Sequence, residues 1–227
     1  MSNSSLITAT ILSPNNSGKR THAIDRITPH CMVGQMSASA CGRLFARSSY
    51  EASSNYGIGK DGEIALYVPE SKRSWCSSSE SNDQRAVTIE CASGTIHPYK
   101  MNGYVYDSLV RLCTDICRRN GKKKLLWFGD KNKTLKYIPK ADEMVITVHR
   151  WFAQKSCPGD WLYARLGDLA HKVTENLGGE PEEKQKPAEA TGKLYRVQCG
   201  AFSSEANANK RIAELKDAGF DAVIMED

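Results

Sequence analysis

His149-Arg150-Trp151-Phe152-Ala153-Gln154-Lys155-Ser156-Cys157-Pro158-Gly159 sets an imidazole, an ammonium and a thiol close together, just ahead of a segment with helical periodicity. Imidazole nitrogen and thiolate sulfur are the ligands that Zn²⁺ prefers, and a catalytic site uses three protein ligands so that a fourth position stays open for water. The stretch therefore reads as half of a zinc site whose third ligand comes from elsewhere. The best donor upstream is His30, in Ile27-Thr28-Pro29-His30-Cys31-Met32-Val33. That short apolar run with β-branched residues predicts a strand that delivers a side chain at its end.

Around these two segments the chain reads as α/β. Strands are expected near residues 26–33, 56–60, 63–68, 86–91 and 145–149, and helices near 37–49, 103–120 and 160–176. A mixed central sheet with flanking helices follows. Ser37 or Ser39 caps the first helix, with Cys41, Leu44 and Phe45 facing the core. Asp61-Gly62 between two apolar runs is a hairpin signal. Leu109, Val110, Leu112, Cys113, Ile116 and Cys117 form one stripe of the second helix, which reads as core packing before metal or disulfide. The third carries Trp161, Leu162, Leu166, Leu169, Ala170 and Val173 and stops at Leu177-Gly178-Gly179. Phe128 to Met144, rich in lysine, reads as an insertion before the final strand.

Composition bounds the possibilities. The 227 residues, 40% apolar, suffice for one full core and a small appendage. No apolar run approaches the roughly 18 residues of a membrane span, and the N-terminal segment lacks the basic region and apolar core of a signal peptide. The expectation is a protein made in the cytoplasm, with its eight cysteines reduced and mostly buried as small apolar residues. Cys157 is the exception: beside Lys155 and a metal it is expected to be a thiolate. The net charge of +5 is uneven, with residues 1–176 carrying eight more basic than acidic side chains and 177–227 three more acidic than basic. A basic first domain suits a polyanionic target. The dense run Lys122-Lys123-Lys124 follows Asn120-Gly121 at a helix end, where cations are favoured by the helix dipole, and it argues against a nucleic-acid site. His22 and His97 are expected to be exposed, and no second metal cluster is apparent.

The order of the signals carries a resemblance. After His30-Cys31 come Asn55-Tyr56-Gly57-Ile58-Gly59-Lys60-Asp61-Gly62-Glu63-Ile64, then Val68-Pro69-Glu70, Ser74-Trp75, and Asn82 leading into Ala86-Val87-Thr88-Ile89-Glu90; His149 and Lys155-Ser156-Cys157-Pro158 close the series. From about residue 20 to about 172 the chain resembles the type 2 family of zinc-dependent N-acetylmuramoyl-L-alanine amidases, which includes phage lysins and the animal peptidoglycan recognition proteins. The resemblance implies hydrolysis of the amide joining the lactyl group of N-acetylmuramic acid to L-alanine in peptidoglycan. It implies Zn²⁺ on His30, His149 and Cys157, Glu90 as general base, and Lys155 as the fixed charge that stabilises the oxyanion. It also points to a phage or prophage endolysin, made in the cytoplasm and acting on the wall after release. The departures are that the position of the phage catalytic tyrosine falls on Ser54, so that Tyr56 reads as packing, and that Cys76 stands where many members carry histidine. The alternative reading is a non-catalytic peptidoglycan-binding protein, against which Cys157, Lys155 and Glu90 are all retained. A redox or structural zinc protein would want Cys-x-x-Cys, and the chain has none.

Two boundaries follow. Residues 1–176 read as the catalytic domain, 177–192 as a solvated linker with two prolines and no large apolar residue beyond Leu177, and 193–227 as a strand–helix–strand unit over 194–202, 204–218 and 219–224. Ala206, Ile212, Ala213 and Leu215 supply the buried stripe of its helix. Tyr195-x-Val197-Gln198-x-Gly200-Ala201-Phe202, followed by Ala206-Asn207-Ala208 and Gly219-Phe220-Asp221-Ala222, resembles the first half of a SPOR domain, the module that binds peptidoglycan glycan strands lacking stem peptides. The implied partner is bacterial peptidoglycan, stem and glycan strand, with no nucleic acid and no membrane span. So small a core suggests a monomer, or a weak dimer through paired tails.

Overall fold

The structure, a computed structural model, describes residues 2–179, 200–217 and 223–224. The chain divides into two compact units, Met1–Lys184 and Gln185–Asp227. The first opens with β1 (Ala9–Thr10), β2 (Asn16–Lys19), β3 (Arg26–Cys31) and helix α1 (Ala38–Phe45). There follow β4 (Tyr56–Ile58), β5 (Ile64–Leu66), β6 (Lys72–Ser74), α2 (Glu80–Asp83) and β7 (Ala86–Cys91). The long α3 (Gly103–Arg119), β8 (Lys124–Leu126), α4 (Lys131–Lys136), β9 (Glu143–Ile146), α5 (Asp160–Tyr163) and α6 (Leu166–Asn176) complete it. Among the described residues one sheet has the order β1-β5-β4-β7-β3-β9-β8, parallel except for the antiparallel β4–β5 hairpin, and β2 and β6 form a separate antiparallel ribbon.

Strand periodicity decides where the core ends and the site begins. Successive side chains of a strand point to opposite faces. Ile27 and Cys31 of β3, with Val87, Ile89 and Cys91 of β7, therefore share one face and pack with Leu109, Leu112, Cys113, Ile116 and Cys117 of α3 and Leu166, Leu169 and Val173 of α6. Thr28 and His30, with Thr88 and Glu90, fall on the other face. Every residue of β3 is nonetheless buried, as parallel central strands are. The polar face is satisfied by side chains: Thr28 and Thr147 hydroxyls lie 2.7 Å apart, and Asn82 donates to Thr28 Oγ1 at 3.0 Å, accepts from Thr147 at 3.0 Å and accepts from Arg26 at 3.1 Å. A second apolar cluster joins Ala38, Cys41 and Phe45 of α1 to Ala65 and Tyr67. Ser37 caps α1 through Ala40 N–H, and Asn102 caps α3 through Val105 N–H.

Several expectations shift. The first helix ends at Phe45 and a separate 3-10 turn covers Ser48–Tyr50, with Leu44 only half-buried. The strand near 145–149 runs instead from Glu143 to Ile146, and His149 opens a 3-10 turn, His149–Trp151. The helix over 160–176 is broken into α5 and α6: Arg165 leaves helical geometry, lays its guanidinium 4.2 Å over the Trp161 ring and donates to the Trp161 carbonyl. The lysine-rich insertion holds α4 and adjoins an unforeseen edge strand, β8, which begins at Lys124 within the Lys122–Lys124 run. Leu125 and Leu126 are buried there, and Leu125 N–H bonds the Thr174 hydroxyl of α6 at 3.0 Å. The Asp61-Gly62 hairpin forms, with Gly62 at φ 82° and its N–H on the Gly59 carbonyl.

In the second unit α7 spans Glu205–Asp217. Ala208, Ile212 and Leu215 are half-buried at helical spacing, while Ala206 and Ala213 are exposed. The expected flanking strands lie largely outside the described residues, and Gly200–Phe202 and Val223–Ile224 carry no strand. Among the described residues no helix is long and apolar enough to cross a membrane.

Candidate active site

The polar face of the sheet ends in a pair of side chains. His30 closes β3 and Glu90 closes β7, and the two are partners in the parallel ladder, so the backbone register itself sets imidazole beside carboxylate. His30 is 1% exposed and its Nδ1 lies 4.0 Å from Glu90 Oε1. His149 arrives on the 3-10 turn after β9, its ring centroid 5.1 Å from that of His30. Cys157 arrives on the following loop, with Sγ 3.2 Å from His30 Nδ1. Ligand atoms of His30, His149 and Cys157 all lie within 4.8 Å of one another.

The loop geometry that presents Cys157 has a local cause. Arg150 N–H bonds the Cys157 carbonyl at 3.1 Å and Gly159 N–H bonds the Ser156 carbonyl at 2.8 Å. Gly159 takes φ 83°, a region costly for other residues, and a Cβ there would stand 2.9 Å from Tyr99 Cβ and 3.0 Å from the Pro98 carbonyl. His149 Nε2 lies 3.0 Å from Ser78 Oγ, on a residue held at φ 60°. Beneath this, the Asp83 carboxylate accepts from the N–H groups of Cys76 and Ser77, both at 3.0 Å, and fixes the loop that carries Ser78.

The electrostatics favour neutral imidazoles. Burial, reinforced by His149, holds His30 well below the usual histidine range; burial and the Lys155 charge lower His149. Burial pushes the Glu90 carboxyl up to about 7, so it can take and return a proton near neutrality. The Cys157 thiol is pushed upward by its hydrogen bond with Cys31, by burial and by Glu90. The surroundings alone favour the thiol, and the thiolate expected beside Lys155 and a metal would come from the cation. His30 Nε2 and Glu90 Oε2 are buried with no hydrogen-bond partner among the described residues.

The structure thus brings together His30, His149, Cys157 and Glu90, with Lys155 exposed on the rim, its charge felt at His149. Tyr56 is fully buried away from them, donating to Glu70 Oε1 at 2.6 Å and accepting from Ser4 N–H, and Ser54 donates to the Tyr56 carbonyl. His97 is exposed and pairs with Asp160 at 2.7 Å. Two contributors were not foreseen. Ser78 sits in a serine run whose left-handed residue has no sequence signal. Cys76, noted only as a departure, forms a second overlapping donor group with His30 and Glu90.

Fold and site together define a mixed α/β protein in which two imidazoles, a thiol and a carboxyl converge at one end of the sheet. The profile of the N-acetylmuramoyl-L-alanine amidase family matches residues 20–160, more than half of the chain, and the chain belongs to that family. A SPOR domain profile matches residues 191–226. Among solved structures, the chain is similar to the crystal structure of a selenomethionine derivative of AmpD (19% identity, TM-score 0.51, covering 74% of this chain and 96% of that one). It is also similar to the solution structure of the PlyG catalytic domain (14% identity, TM-score 0.51, covering 78% and 98%). At these identities the likeness speaks for the fold alone. No curated protein matches the chain.

Proposed function

We propose that the first unit hydrolyses the amide between N-acetylmuramic acid and L-alanine with one Zn²⁺ held by His30, His149 and Cys157. The observation that carries this is the convergence of two imidazoles and a thiol, whose ligand atoms lie within 4.8 Å of one another around the buried His30. The donor set fits zinc, because two imidazoles and a thiol are its ligands in sites that leave a position open. The ion, when bound, supplies Lewis acidity that acidifies water and polarises a carbonyl. Glu90, raised to about 7, takes the proton from the attacking water and hands it to the leaving amine. Lys155 offers a fixed positive charge at the rim for the oxyanion. Asp83 and the Thr28–Asn82–Thr147 network hold these groups in place and need no direct part in the reaction.

Residues 1–176 then form the catalytic domain, 177–192 a linker and 193–227 a SPOR-like unit that directs the enzyme to glycan. The whole reads as a wall-lytic enzyme of the endolysin kind. The deciding experiment is mass spectrometry of purified peptidoglycan digested with the protein, with and without chelator. New amino termini on L-alanine and intact muramic acid, abolished by chelator and restored by zinc, are expected. Binding without cleavage would favour the non-catalytic alternative, and cleavage indifferent to chelator would remove the metal from the mechanism.

A further inference from the structure

We infer that His30, Cys76 and Glu90 form a second cation position overlapping the first, a resting site in which Cys76 is the thiolate and Glu90 is a ligand instead of a base. The inference rests on the reading above in one respect: His30 serves both positions, so they exclude each other. Ligand atoms of the three residues lie within 4.8 Å of one another, and Glu90 Oε1 stands 4.0 Å from both His30 Nδ1 and Cys76 Sγ. Imidazole, thiolate and carboxylate are all ligands of zinc and of similar divalent ions. The other carboxylate oxygen, Glu90 Oε2, is buried without a hydrogen-bond partner among the described residues.

Two of the three donors are fixed by the sheet, since His30 and Glu90 are ladder partners on β3 and β7. The third is fixed by a buried carboxylate: Asp83 grips the N–H groups of both Cys76 and Ser77 at 3.0 Å, so the Cys76 thiol is presented toward Glu90 on a pinned backbone. Ligation by Cys76 releases its thiol proton to solvent, and the ion then stands on the carboxylate that the reaction requires free. A cation in this position is retained but idle, and His149 and Cys157 compete for it through His30.

The test uses cobalt(II) on the full chain, because thiolate ligation gives a sulfur-to-cobalt charge-transfer absorption. Cys157→Ser should keep a weaker cobalt complex that still shows this band, should lose turnover, and should lose the band when Cys76→Ser is added; circular dichroism establishes that each variant folds. In Cys157→Ser, and in His149→Ala should Cys157→Ser not fold, cobalt should slow alkylation of Cys76, mapped by peptide mass spectrometry. Absence of the band in Cys157→Ser, its survival in the double variant, or an unchanged rate of Cys76 alkylation would overturn the second position. A band in the unmodified protein that vanishes in Cys157→Ser strikes this inference alone, whereas no cobalt complex in the unmodified protein strikes the zinc reading as well.

Discussion

Glu90 and Lys155 are asked to move a proton and to oppose a negative charge, and neither belongs to the donor set proposed for the productive ion. Glu90→Ala and Lys155→Ala should therefore keep fold and zinc while losing on the order of 10²-fold in turnover, read by muropeptide release beside elemental analysis. Wild-type turnover in Glu90→Ala would move the base elsewhere. Gly159→Ala tests a different kind of residue. A left-handed φ and a Cβ pressed against Tyr99 and the Pro98 carbonyl should distort the loop that carries Cys157. Weaker zinc binding with an unchanged far-ultraviolet circular dichroism spectrum is expected; unaltered zinc affinity would show that the loop absorbs the change. Single residues were the most legible part of this chain, because a histidine, a lysine and a thiol near a proline are chemically conspicuous. Ser78 was not legible, since what places it at His149 is a positive φ that no serine advertises. Nor was the approach of Cys31, a neighbour 126 residues away in sequence, which together with burial and Glu90 raises the Cys157 thiol.

At the scale of elements, α3 shows what periodicity conveys. Its apolar stripe was readable at 3.6-residue spacing, and Leu109, Leu112 and Ile116 are fully buried against the sheet. Leu109→Ala should cost about 2–5 kcal/mol, a transfer term plus a cavity term, measured by urea unfolding of the first unit. A loss below about 1 kcal/mol would mean that the neighbourhood collapses to fill the space. Short elements resisted reading for a physical reason. β1, β6 and β8 have two or three residues each, too few for a period to declare itself, and they exist because neighbouring strands supply their hydrogen bonds. β8 even begins in a lysine run. The break between α5 and α6 was hidden because its cause is Arg165 lying back over Trp161, a contact that leaves the apolar spacing of 160–176 intact.

For the whole molecule, the two units invite separate assays. If the tail concentrates the enzyme on glycan without touching the chemistry, removing residues 178–227 should leave cleavage of small soluble muropeptides unchanged and weaken retention on peptide-free glycan. Equal retention by full-length and truncated protein would reject the targeting role, and retention that rises with protein concentration would favour paired tails. One feature of the first unit bears on how such a protein can change over time. His30 and Glu90 face each other across a hydrogen-bonded ladder, at an interstrand spacing of about 4.8 Å that no loop controls. A one-residue slip of either strand would turn its member of the pair toward α3, where Ile27 and Ile89 now pack, and would be lethal to the core as well as to the chemistry. His149 and Cys157 arrive instead on the connection beyond β9, whose shape is set locally by the Arg150–Cys157 bond and by Gly159. Exchanging that connection should therefore retune metal preference while the inner pair keeps its spacing, which makes this end of the sheet a natural anchor for building chimeric amidases.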